Sequence, residues 1–143
     1  MRTLCLFSLL AALTGLGAGC ETDANQLAPP KTTTDLALQP SERDVLATVK
    51  VGSAIRILLP PPNEPGVQWV IIANPGRTLV QITDLRPAKD APEKFAVTFQ
   101  AVRAMRSRLM FAAIKPGQAE ADAAESFSVI VGVSETEPPG PGL

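Results

Sequence analysis

Between Val45 and Val133 apolar side chains fall at every second position, in short runs broken by turn residues, and that period commits the chain to β-structure. The strongest run sets Phe95, Val97, Phe99 and Ala101 against Lys94, Ala96, Thr98 and Gln100. Val45, Ala47, Val49 and Val51 alternate likewise with Leu46, Thr48 and Lys50, after which Gly52 and Ser53 turn the chain. A second run, residues 55–59, must stop at Pro60, Pro61 and Pro62, because proline has no amide hydrogen for a ladder. Residues 67–72 form a third, with Val67, Trp69 and Ile71 on one face. Asn74, Pro75 and Gly76 then make a turn into a fourth, residues 78–85. Residues 94–101 are the fifth run, 108–114 the sixth, and 126–133 the seventh, with Phe127, Val129, Val131 and Val133 facing inward. Residues 118–125 are rich in Ala and Glu but carry no apolar stripe and are too short for a stable helix, so they read as loop, with at most one helical turn.

Seven short strands within about 90 residues predict an all-β fold, an antiparallel β-sandwich of immunoglobulin type. The competing barrel of the oligonucleotide-binding kind asks for about five longer, strongly curved strands and an exposed aromatic or basic face. With no Tyr and a single Trp, the chain does not supply that face. Trp69 is expected in the core, and Gly66 is expected to provide a positive φ in a tight loop.

The chain contains no histidine, which removes Ser/His/Asp and Cys/His nucleophiles, the usual His-containing zinc sites and an ordinary pH switch. Carboxylate pairs such as Asp84 or Asp90 with Glu93 sit in polar turns and read as solvated charges. The glycines are dispersed singly, so there is no phosphate-cradling loop. No enzyme, cofactor, metal or small-molecule substrate is expected. Thirteen basic residues against fourteen acidic ones leave no strong net field to attract nucleic acid or an anionic membrane surface. Arg103, Arg106 and Arg108 cluster between the fifth and sixth strands and read as a solvated hairpin end.

Ahead of the strands, Arg2 is followed by an almost wholly apolar stretch from Leu4 to Leu16, then Gly17, Ala18, Gly19 and Cys20. The apolar run is shorter than the roughly 20 residues that a spanning helix needs. It resembles a bacterial lipoprotein signal, which implies cleavage before Cys20 and lipidation of its thiol. Removing 19 of 143 residues leaves 124, enough for one domain, and Cys5 departs with the leader, so core packing works without a disulfide. Buried acyl chains, at ~0.8 kcal/mol per CH₂, would make a lasting anchor. The resemblance places the protein in the cell envelope. Glu21 stands where an Asp would favour inner-membrane retention, which points to the outer membrane, periplasmic face. The expected organisation is a signal peptide over residues 1–19, a flexible tether over 20–43, the domain over 44–134 and a disordered Pro/Gly tail over 135–143.

Val51-Gly52-Ser53-Ala54-Ile55-Arg56-Ile57-Leu58-Leu59-Pro60, followed by Gly66-Val67-Gln68-Trp69, resembles the start of the chagasin-type inhibitors of papain-like cysteine peptidases. In those immunoglobulin-like domains a V-G-x-x-x-x-I-x-L-P strand leads into an N-P-T-T-G-[FY]-x-W loop. A later loop carries G-x-G-G, and R-P-[WF] opens the loop before the last strand. The resemblance implies that loops at one end of the sandwich fill a peptidase cleft. The first would be Asn63, Glu64, Pro65 and Gly66, the second would fall near Ala88, Lys89, Asp90 and Ala91, and the third would be Lys115, Pro116 and Gly117. Of the first motif only the glycine and tryptophan persist, the second has no glycine, and Gly117 replaces the aromatic of the third. A structural or adaptor lipoprotein, held by a sheet edge in an envelope complex, is the alternative.

Overall fold

The computed structural model describes residues 27–73 and 76–135. The leader, Cys20, the turn at Asn74 and Pro75, and nearly all of the Pro/Gly tail lie outside them. Among the described residues nine strands form two sheets. In the first, β1 (Thr33–Ala37), β3 (Ala54–Leu59), β7 (Phe95–Ala101) and β5 (Leu79–Gln81) lie in that order, and the short β6 (Arg86–Pro87) also pairs with β7. The second has the order β2 (Asp44–Lys50), β9 (Glu125–Ser134), β8 (Arg106–Ile114) and β4 (Gln68–Ala73). Residues 118–125 contain one 3₁₀ turn, Glu120–Asp122.

The alternation read from the sequence is the alternation of burial. In β9 every odd position is buried, from Glu125 through Val133. In β7 it is Val97 and Phe99, and in β8 Leu109, Phe111 and Ala113, that point into the same core. Phe99, Phe111 and Phe127 are the largest fully enclosed side chains. Trp69 is 6% exposed, as expected, and its ring lies 5.4 Å from that of Phe127. Burying four such aromatics, each with 150–250 Å² of surface (an order-of-magnitude range), dominates the cohesion of a domain this small.

Three expectations need correction. Residues 28–43 are not a flexible coil. Lys31 donates its amide to Gly52 O at 2.9 Å, Ala54 donates to Thr32 O at 2.8 Å, Leu38 donates to Leu58 O at 2.9 Å, and the Gln100 side-chain amide donates to Ala28 O at 2.9 Å. The stretch gives little sequence signal because β1 is an edge strand with only Leu36 turned partly inward, so no alternation marks it. Leu38, 3% exposed, plugs the core where the chain crosses from one sheet to the other. The domain therefore begins near residue 28 and not at 44.

The sandwich is also not wholly antiparallel. β1 pairs parallel to β3, and β2 pairs parallel to β9. Crossing at Leu38 lets the first segment edge both sheets in turn, and in each it meets a strand running its own way. Finally, the fourth run shortens to three residues. The Thr83 hydroxyl accepts the amide of Thr98 at 2.9 Å, taking the place of a ladder carbonyl, so regular pairing ends there.

Candidate functional site

Strand register decides which loops share an end. Leu59 pairs with Phe95, Gln68 with Ile114, and Ala113 with Glu125. The loops that leave these positions, residues 60–67, 88–94 and 115–124, therefore emerge from one pole of the sandwich. The three segments that the sequence singled out converge there.

The first loop is stiff at its base and open at its tip. Pro60 is buried, and its carbonyl accepts the Trp69 indole N–H at 2.8 Å, so the core tryptophan also anchors the loop. Asn63, Glu64, Pro65 and Gly66 are all exposed, and Gly66 has φ +80°, the left-handed conformation expected of it. Lys115, Pro116 and Gly117 are exposed too. They form a tight turn in which Gln118 N donates to Lys115 O at 3.0 Å, with Pro116 second and Gly117 third at φ +85°, the pattern of a type II turn. The Gln118 side chain accepts the Lys115 amide at 3.0 Å and closes the turn from outside.

Two residues that the sequence reading passed over hold this pole together. Glu125, 9% exposed, accepts the Asn63 backbone amide at 3.1 Å and also its side-chain amide. The clamp joins the first loop to the base of the third. Its signal was in the alternation, since Glu125 has the inward parity of Phe127 and Val129 and is an acid where an apolar residue is due. Arg56, in the middle of β3, faces out and donates to Asp35 of β1 at 2.7 Å and to Asp90 of the second loop at 2.8 Å. These hydrogen bonds hold the Asp90 carboxyl below its ordinary 3.8 and the guanidinium above its usual range. Because its folded pKa is depressed, Asp90 supports the link at neutral pH and releases it as pH falls through that lowered pKa. The chain around it is shaped by Ala88 N donating to Lys94 O and Lys94 N to Ala91 O, both at 2.9 Å. Among the described residues no group of three His, Cys, Asp or Glu is placed to hold a metal.

No family model matches the sequence, and no curated protein matches it. Solved structures do. The cysteine protease inhibitor EhICP2 from Entamoeba histolytica aligns over 73% of this chain and 99% of its own, at TM-score 0.59 and 16% identity. Amebosin aligns over the same shares at TM-score 0.52 and 16% identity. PbICP-C, solved in complex with falcipain-2, aligns over 70% of this chain and 98% of its own, at TM-score 0.53 and 14% identity. The fold is that of the chagasin-type inhibitors. At such identities the likeness is one of architecture, carried by strand order and core and not by loop sequence.

Proposed function

We propose that this chain is an envelope lipoprotein, lipidated at Cys20, whose immunoglobulin-like domain binds another protein by the loops at one pole and restrains a papain-like cysteine peptidase. Asn63, Glu64, Pro65 and Gly66 enter one side of the cleft and Lys115, Pro116 and Gly117 the other. The protein supplies no chemistry and acts by occlusion. The observation that carries the reading is the convergence of these segments, the first clamped through Glu125, on a fold shared with the cysteine protease inhibitor EhICP2 and with PbICP-C, solved in complex with falcipain-2. Four prolines in the first loop lower the entropy lost on docking.

The same residues set the expected strength. Gly117 offers no aromatic anchor, a contact worth ~2 kcal/mol or more in interfaces of this kind, and Pro65 has no amide to donate. Micromolar inhibition is therefore expected, and not nanomolar. Titration of papain and a cathepsin-like peptidase with the chain from position 20 onward measures it. Full peptidase activity throughout the micromolar range removes the inhibitor reading. The open outer edge of β1, four of whose five residues are exposed, supports the second reading of an adaptor bound by strand addition. Cross-linking in intact cells separates the two, capturing a peptidase in one case and a fixed envelope component in the other.

A further inference from the structure

The pole opposite the loops gathers an excess of positive charge. Register puts the end of β2, the starts of β3, β5 and β8, and the end of β9 together there. It carries Lys31, Lys50, Arg77, Arg103 and Arg106, with Glu135 the one acid among the described residues of that end. Among the described residues none of the five is in an ion pair, the ion pairs there being those of Arg56. At the tip of the β7–β8 turn Met105 is 49% exposed, one of two large apolar side chains so open among the described residues, and Arg103 and Arg106 flank it. An apolar side chain between two cations suits the boundary between headgroups and acyl chains. The loop pole has the opposite tendency, carrying Glu42, Asp44, Glu64, Asp90, Glu93, Glu120 and Asp122 against fewer bases.

The chain also enters at the basic pole. Ala28 is held by Gln100, and Lys31 by Gly52. Only seven peptide units separate Cys20 from Leu27, a reach of about 25 Å at full extension. We infer that this pole docks on anionic lipid headgroups of the anchoring bilayer, with Met105 dipping between them, so that the opposite loops point away from the membrane. The inference rests on lipidation at Cys20 for its geometry, not on inhibition. Glu21 and Asp23 in the connecting segment, Glu135 just past β9 and Glu137 two positions on oppose the attraction, four acids against five bases.

The test uses the chain from position 20 onward with Cys20→Ser, so that no acyl chain contributes. Co-sedimentation with vesicles of phosphatidylcholine containing phosphatidylglycerol is expected, and none with phosphatidylcholine alone. Each basic side chain near an anionic surface strengthens binding about fivefold, so Arg103→Glu with Arg106→Glu lowers it by about 25-fold or more, and raised salt abolishes it. Equal binding by parent and reversed chains overturns the proposal. The same chain lacks cysteine, so Met105→Cys and Glu64→Cys each accept a single nitroxide. Protection from an aqueous quencher is expected at 105 and not at 64, and the reverse order overturns the orientation. Mass analysis of the membrane-bound protein reports acylation of Cys20 separately, so a failed anchor is distinguishable from a failed pole.

Discussion

Glu125 shows how one residue links core and tip. A carboxylate that is 9% exposed has lost most of its water and relies on the two Asn63 donors in exchange. Asn63→Ala removes one donor and leaves the acid under-satisfied, so the unfolding free energy is expected to fall by about 1–3 kcal/mol in urea. Glu125→Ala is expected to cost as much and to weaken any peptidase inhibition together with stability, since both loops lose their common fixture. An unchanged denaturation midpoint in both variants would show that the clamp contributes nothing. The inward position of Glu125 was legible from its parity on β9. Its partner was not, because Asn63 lies 62 positions away and only folding brings it close.

At the scale of elements, β1 is the segment that periodicity misses. Its five residues alternate nothing, yet it covers the edge of β3 with a complete parallel ladder and delivers Leu38 to the core. A chain beginning at Gln39 should lose about 3 kcal/mol or more relative to one beginning at Leu27, from the buried leucine and the hydrogen bonds of the ladder. Chemical denaturation of the two chains measures this. Equal stabilities would return residues 27–38 to the status of a tether. Apart from the two-residue β6, which lies in a stretch that reads as polar loop, the other strands were legible to within two residues at most ends because their alternation records which face meets the opposite sheet. The exception, β5, ends early where the Thr83 side chain replaces a backbone acceptor, a substitution that no period announces.

For the whole molecule, the sandwich separates stability from recognition. Phe111, fully buried between the sheets, should cost about 3–5 kcal/mol as Phe111→Ala, while Glu64→Ala and Lys115→Ala at the exposed tip should stay within about 0.5 kcal/mol. Peptidase titrations on the same variants are expected to rank them the opposite way: the two tip variants weaken inhibition, and Phe111→Ala, assayed where it remains folded, leaves it intact. A parallel loss of stability and inhibition at the tip would argue that the loops are part of the core's support. The two poles extend the division of labour, with acids and candidate contact loops at one and bases and the chain's entry at the other.

By itself the sequence determined the layers: period-two alternation names the faces, proline and glycine name the turns, and the absence of histidine removes whole classes of chemistry. These are local properties, and each residue carries its own share of them. Only the tertiary structure decided that residues 60–67 and 115–124 share a pole, that Glu125 and Asn63 meet, and that β1 belongs to the domain. Those depend on strand order and register, which bring together residues dozens of positions apart and which no local pattern encodes.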